Sequence, residues 1–418
     1  MSGNTMLPLL AQYTCPGDPQ PISESLHQAR LRAGWSGCRE CRWNETVSQS
    51  GSTPAVGPSP VIRRTKNGVR GQWLNAIDRI RGARLACLFG EQFRRLKEAA
   101  TEQSGTVVPT APTTIALGFD EHRGCTEIFA AALTAVHQCG INVVDAGRCT
   151  AASLLHVCET FPDVDGAILV TGLAGQPGET GMDAFLPDGG ALSVPWQDLG
   201  VKTQSTSRFT TSQSEVTAWK QRLTPPGHIA ASHPHNDEEL QLQLPADLEI
   251  TRGGRSAGQH HTTNAEDSYR THLLHWWPQK EQQGNALFVA TGDLTNLRLA
   301  WLARTTEQNI RTTPSLPEDD QLRQAHVSFV VDSDDRHLEV INSAGRMLTA
   351  QQVSAWINDS VRTGNRHVTS HVSPVGELVL VDVATPGSPR PHRFITDALA
   401  TAGFIQTLLS HDRNRLPN

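Results

Sequence analysis

The chain has 418 residues, with 36 Lys and Arg against 42 Asp and Glu and a formal net charge of -6. That length exceeds one ordinary core and implies roughly two to four domains. The mild acidity leaves no electrostatic footprint for nucleic acid or a membrane surface, so a small substrate or a protein partner is expected. No apolar run reaches the about 18 residues that a membrane span needs, and Met1 to Gln12 lacks a basic region ahead of a long apolar core. Neither a span nor an export signal is therefore expected, and a cytoplasmic protein is predicted. The 8 cysteines are scattered and read as reduced buried thiols, not as a disulfide framework.

Residues 1–60 form a leader poor in apolar residues, followed by a linker. Cys15, Cys38 and Cys41, the last two a CxxC pair, make with His27 a Cys3His set, the situation in which structural Zn²⁺ supplies folding energy. Spare thiols are the alternative. Residues 42–60, rich in Ser, Gly, Thr and Pro, read as linker.

From 61 to 205 the pattern is α/β. Asn67 to Gly71 reads as a turn leaving a short strand, and Leu85 to Ala99 has helical periodicity. Strands are predicted at Thr114–Gly118, Ile141–Asp145 and Ala167–Thr171, and helices at Glu127–Gln138 and Ala151–Phe161. Such alternation implies a parallel sheet with ligands outside the carboxyl ends of its strands, which singles out the loop Gly172 to Gly181. Residues 206–265 read as a polar connector with one strand near Leu244–Thr251. Ala231 to Asn236, Ala-Ser-His-Pro-His-Asn, sets a serine beside two histidines, but no apolar strand supports it and a surface connection is the preferred reading.

A second α/β unit follows: a helix over Tyr269–Trp277 with Trp276 and Trp277 in the core, a strand at Asn285–Ala290, and a helix at Leu297–Thr305. The strand from Phe329 then ends in the acidic turn Asp332-Ser333-Asp334-Asp335-Arg336, and a return strand ends near Gly345. Grouped carboxylates repel one another and call for a cation, Mg²⁺ being the usual one.

Three stretches in this order, Gly118 to Arg123, Asp165 to Thr171 with its glycine-rich loop, and the turn at Asp332, resemble the alpha-D-phosphohexomutases, the phosphomannomutase and phosphoglucomutase group. Asn67 to Gly71 is similar to that family's Gly-(Ile/Leu)-Arg-Gly loop. The resemblance implies successive α/β/α domains with mixed, mainly parallel sheets: domain I over 61–205, connector and domain II over 206–345, and a shortened domain III over 346–418, with domain IV absent. It implies a phosphosugar ligand, with Arg70, Arg123 and Glu377 as candidate contacts, and Mg²⁺ as cofactor.

The family's phosphoserine lies in a Thr-Ala-Ser-His-Asn-Pro loop. Aligned from Thr171, the serine position is Leu173, the histidine position is Ala174 beside Gly175, and a later lysine position is Asp183. Leucine has no oxygen to phosphorylate. In the metal loop, the gap-free register puts Asp332 and Asp334 on two ligands, Ser333 on a glycine, Arg336 on the third aspartate and His337 on an arginine; a shifted register would place Asp335 and Arg336 on the final pair. The gap-free register predicts a guanidinium in place of the ion, Arg336 forking onto Asp332 and Asp334. Two readings result: a phosphohexomutase-like protein without transfer chemistry, acting in phosphosugar binding, regulation or assembly with a partner protein or as a homo-oligomer, or an active phosphomannomutase-type intramolecular phosphotransferase.

Overall fold

The structure is a computed structural model. It describes residues 12–13, 22–23, 26–27, 30, 62–103, 112–173, 178–194, 202–205, 240–243, 256–278, 285–314, 319–364, 368–372, 378–383, 392–395, 397–412 and 416–417. Strands β1 (Gln12–Tyr13) and β2 (Ile22–Ser23) pair as an antiparallel ribbon. The linker 42–60, the strand expected at Leu244–Thr251 and the segment Ala231 to Asn236 lie outside the described residues.

The first large sheet contains β3 (Ile62–Arg64), β4 (Gly68–Gln72), β5 (Thr114–Phe119), β6 (Asn142–Arg148), β7 (Gly166–Thr171), β8 (Glu179–Phe185), β9 (Lys202–Ser205), β10 (Leu240–Gln243) and β11 (His260–Thr262). Their order is β11-β6-β5-β7-β8-β4-β3-β10-β9. Strands β11, β6, β5 and β7 run parallel, and the rest join antiparallel. Helices α1 (Arg79–Gln103), α2 (Cys125–Gln138) and α3 (Ala151–Thr160) cover it. Strand alternation divides the apolar residues between two faces. Ile115, Leu117, Ile168 and Val170 pack with Leu85, Phe89, Phe93 and Ile128 of α1 and α2. Ala116, Ala167 and Leu169 pack with Leu154, Leu155 and Val157 of α3. With both faces covered, β7 is buried throughout, which is why it reads as an unbroken apolar run.

Strand β8 was not legible as a strand. Glu179 and Asp183 interrupt its apolar pattern, yet every residue from Glu179 to Phe185 is buried. Arginines from β4 beside it and from β3 one strand further out make this tolerable. Polar β11, expected to be irregular connector, adds instead to the edge of β6 as an exposed strand.

The second sheet holds β12 (Asn285–Ala290), β13 (Asn309–Thr313), β14 (Val327–Val331), β15 (Leu338–Asn342) and β16 (Met347–Leu348), in the order β13-β12-β14-β15-β16. Its first three strands are parallel and the last two are antiparallel. Helices α4 (Ala265–Trp276), α5 (Asp293–Thr306) and α6 (Asp319–Gln324) accompany it. Helix α7 (Ala350–Gly364), the antiparallel strands β17 (Val368–Val372), β18 (Leu378–Val383) and β19 (His392–Ile395), and helix α8 (Ala398–Asp412) complete the described chain. One continuous buried cluster joins Tyr269, Phe288 and Phe329 with Ile357, Leu380, Leu399 and Ile405.

Trp276 and Trp277 are core residues as expected, 4% and 2% exposed. Trp277 also donates from Nε1 to the Leu399 carbonyl at 3.1 Å, so its polar atom is satisfied within the apolar contact. Gly403 of α8 permits this approach, since a Cβ there would sit 2.5 Å from the indole Cδ1. Among the described residues no helix is long and apolar enough to cross a membrane.

Candidate functional site

The carboxyl ends of β5 and β7 carry the loop that the sequence singles out. Asp120, just beyond β5 and buried, clamps it from below. Its Oδ2 accepts the backbone N–H groups of Gly172 at 2.8 Å and Leu173 at 3.0 Å, and its Oδ1 accepts that of His122 at 2.9 Å. Thr171 is fully buried. The backbone at Leu173, the position expected from the resemblance to carry a nucleophile, is therefore held by two hydrogen-bonded amides, and its side chain is apolar. Ala174 and Gly175 lie outside the described residues.

Arg70, expected as a phosphosugar contact, is 2% exposed and turned inward. It forks onto Asp183 with both N···O distances at 2.7 Å and also donates to its neighbour's carbonyl, Val69 O, at 2.9 Å. The register explains the pairing. Arg70 lies opposite Gly181 on β8, two residues from Asp183 and on the same face. Gly181 has to be glycine here, because a Cβ would meet Val69 O at 1.9 Å and Arg70 Cδ at 3.0 Å. One strand further out, Arg63 forks onto Glu179, at 3.2 Å from Nε and 2.5 Å from Nη2. Arg123 is exposed, and Glu377 lies outside the described residues.

The acidic turn between β14 and β15 departs most from expectation. Arg336 does not fork onto Asp332 and Asp334. Its backbone N–H reaches Asp332 Oδ1 at 2.9 Å, while its guanidinium lies 4.9 Å over the Phe185 ring and donates to the Gly189 carbonyl at 3.1 Å. Asp335 adopts a left-handed φ of 57° and its side chain is fully buried, while that of Arg336 is half-buried against Phe185 and Gly189.

Asp335 is the carboxylate that meets an arginine. Fully buried, it takes Arg298 Nη1 at 2.5 Å on Oδ2, Thr295 Oγ1 at 2.6 Å on Oδ1, and Thr150 Oγ1 at 3.1 Å on Oδ2. Arg298, itself 0% exposed, also donates to Thr150 Oγ1 at 2.8 Å, Ser153 Oγ at 3.0 Å and Glu266 Oε2 at 2.6 Å. Its guanidinium lies 4.5 Å over Tyr269. This one side chain ties α3 of the first sheet to α4, α5 and the acidic turn. Glu121 makes a second tie. It accepts the backbone N–H groups of Asp293 at 2.5 Å and Leu294 at 2.9 Å, capping α5, whose own N-cap is a glycine.

Asp334 stands between the two regions. Its carbonyl accepts the Ala152 N–H at 3.3 Å, but its buried Oδ1 has no hydrogen-bond partner in the structure. Burial, and after it Asp332 and Asp183, push its carboxyl well above the ordinary range, with Arg70 pulling the other way. Burial likewise raises Asp332 and Asp335, the latter opposed by Arg298.

These donors do not suit Mg²⁺ as the resemblance implies. Asp332 Oδ1 is engaged by a backbone N–H and both Asp335 oxygens by side chains, so three convergent carboxylates are not on offer. Among the described residues no group of three or more His, Cys, Asp or Glu is placed to hold a metal ion. Of the zinc candidates, His27 is buried at 1% exposure, and Cys15, Cys38 and Cys41 lie outside the described residues.

Sequence reading missed Arg298 and set Asp335 aside. A signal for Arg298 existed: at four-residue spacing between Leu294 and Leu302, it occupies the buried stripe of α5. An arginine on such a stripe needs a buried acid.

The chain is similar in structure to a phosphoglucomutase/phosphomannomutase family protein from Burkholderia thailandensis, with a TM-score of 0.54, 12% identity, and coverage of 84% of this chain and 79% of that one. A Thermus thermophilus protein assigned as a phosphomannomutase gives a TM-score of 0.46 at 16% identity, covering 74% of this chain and 64% of that one. The phosphoprotein pp63/parafusin (phosphoglucomutase) from Paramecium gives 0.38 at 10% identity, covering 72% and 56%. The chain thus spans less than two thirds of the length of these last two. No family profile matches the chain, and no curated protein matches it in sequence. The first likeness establishes a phosphohexomutase-like fold, and at this identity it establishes the fold alone.

Proposed function

We propose that this phosphohexomutase-fold protein has lost phosphoryl transfer and works in the cytoplasm as a regulatory or assembly subunit. The observation that carries the reading is the inward use of the charges at the carboxyl ends of the strands. Asp183 is neutralised by Arg70, Asp335 by Arg298, and Asp120 is spent on the Gly172 and Leu173 amides. Phosphoryl transfer depends on positioned charge and a nucleophile. Here the nucleophile position is Leu173 and the charges brace the fold. The exposed Arg123, with Glu377, is left as the candidate phosphosugar contact, and binding there would serve regulation.

The test is incubation of the purified protein with mannose 1-phosphate or glucose 1-phosphate, a hexose bisphosphate and Mg²⁺. The expected result is no 6-phosphate and no phosphorylated protein. Turnover abolished by EDTA would overturn the proposal.

The second reading, an active phosphomannomutase-type phosphotransferase, draws support from one observation: Asp334 Oδ1 is buried without a partner in the structure, as it would be if a cation or a proton belonged there. The same assay separates the two. Structural Zn²⁺ on Cys15, His27, Cys38 and Cys41 is a separate proposal. Metal analysis is expected to find one Zn²⁺ per chain, lost in Cys38→Ser, and metal-free folded protein would end it.

A further inference from the structure

Helices α1 and α2 pack so closely that Gly82 of α1 could not carry a Cβ without meeting Ile128 Cγ2 at 2.5 Å. Further along α1, a Cβ on Gly90 would meet Cδ1 of Ile141, just beyond the end of α2, at 2.6 Å. Between these two close approaches lie Cys87 of α1 and Cys139, the residue that ends α2. Their sulfurs are 3.1 Å apart, and the residues are 52 positions apart in the chain. A disulfide has S–S of about 2.05 Å, so a shift of about 1 Å joins them. Cys87 is 9% exposed and Cys139 is partly exposed, so a small reagent reaches the second sulfur first.

From this geometry we infer that Cys87 and Cys139 are a peroxide-sensitive dithiol, with Cys139 the attacking thiol and Cys87 the resolving one. The Cys139 thiolate attacks the terminal oxygen of a hydroperoxide, the O–O bond breaks, and the sulfur becomes a sulfenic acid while the departing oxygen takes a proton from solvent and leaves as water or alcohol. The Cys87 sulfur then attacks that sulfur, the S–O bond breaks, and a second water leaves. Both thiols are oxidised by two electrons in all, and the peroxide is reduced. The product is a disulfide fastening α1 to α2.

The surroundings set Cys139 apart from the other described cysteines. The thiol hydrogen bond with Cys87, and after it the nearby Arg94, bring Cys139 down to about 7 against the opposing effects of burial and of the Glu91 carboxylate. Arg94 is held in place by donating from Nη2 to the Cys139 carbonyl at 2.8 Å and from Nη1 to Glu91 at 2.5 Å. Burial instead pushes Cys149 and Cys158 up to about 12, and raises Cys125. The pair lies on the helix layer, apart from the acidic turn and from Leu173, so its chemistry is independent of the proposed loss of phosphoryl transfer.

The test is to treat the full-length reduced protein with hydrogen peroxide, alkylate the remaining thiols and map the peptides by mass. A joined peptide containing Cys87 and Cys139 is expected, cleaved by dithiothreitol and formed about tenfold more slowly at pH 6 than at pH 8, as the thiolate fraction falls. In Cys87→Ser, Cys139 is expected to stop at the sulfenic acid and be trapped by dimedone. In Cys139→Ser, Cys87 is expected to stay alkylatable. The oxidised wild type is expected to melt at least about 5 °C above the reduced form. Both thiols remaining alkylatable after excess peroxide, or Cys139 passing to sulfinic acid with no joined peptide, would overturn the inference.

Discussion

Two buried guanidinium–carboxylate pairs, Arg70–Asp183 and Arg298–Asp335, use the same chemistry for different purposes. The first joins adjacent strands of one sheet, and its register alone brings the partners together. The second joins α3, α4, α5 and the acidic turn, drawing on helices and a turn that flank both sheets. The strand pair is local bracing, whereas the Arg298 cluster is a joint between two regions. A buried pair gains little net stability over apolar packing, but loss of one partner strands a charge.

That contrast is open to direct attack. Arg298→Met is expected to have the largest effect, a loss near the upper end of about 3–5 kcal/mol in urea unfolding, because the fully buried Asp335 loses its cation and Glu266 keeps only Arg270. Asp335→Asn added to it should cost far less than the sum of the two single changes. A loss below about 1 kcal/mol for Arg298→Met would break the comparison.

Asp397, next to the α8 amide that donates to the Asp335 carbonyl at 2.7 Å, tests the joint through pH. Burial pushes its carboxyl from the ordinary 3.8 up to about 7. The folded state then binds more protons than the unfolded one between those values, so its stabilising contribution is complete below about pH 4 and is lost as pH rises through 7. Asp397→Asn keeps an oxygen for the Ala400 N–H, now accepted at 2.8 Å, but cannot titrate. Denaturation curves should show wild type losing about 3–4 kcal/mol relative to the variant between pH 4 and pH 8, at up to about 1.4 kcal/mol per pH unit. Parallel pH profiles would refute this.

Arg70→Met is expected to cost about 3 kcal/mol, with increased amide exchange confined to β4 and β8; exchange spreading into the second sheet would erase the distinction between the two pairs. Thr295→Val removes one neutral donor to Asp335 and should cost about 1–2 kcal/mol. Leu173→Ser should change least. With Asp183 paired to Arg70 and no group of three metal-ligating side chains among the described residues, the new hydroxyl is expected to take up no phosphoryl group from a hexose bisphosphate, as read by phosphoprotein analysis. Phosphoserine at 173 would show that only the nucleophile had been lost.

Much of the fold was legible because its signals are local. Asn285–Ala290 is a strand with the bounds that its apolar run implies, and the helix predicted at Glu127–Gln138 starts only two residues earlier, at Cys125. The loop after β7 was legible as the place to look, and Leu173 does stand where the Asp120 clamp holds the backbone. Strand β8 was not legible, since its polar residues become acceptable in a buried strand only when Arg63 and Arg70 arrive from β3 and β4.

The sequence by itself determined the α/β class, the order of most elements, the buried tryptophan pair and the presence of an acidic turn that required a cation. Only the tertiary structure decided which cation. Reading the turn in isolation favoured Arg336, the nearest arginine in the chain. The fold turned Asp335 inward at a left-handed φ and delivered Arg298, 37 residues away in sequence, together with Thr150, 185 residues away. Periodicity and propensity are properties of neighbours along the chain, but an ion pair depends on distance in space, and crossover connections and packing settle that distance.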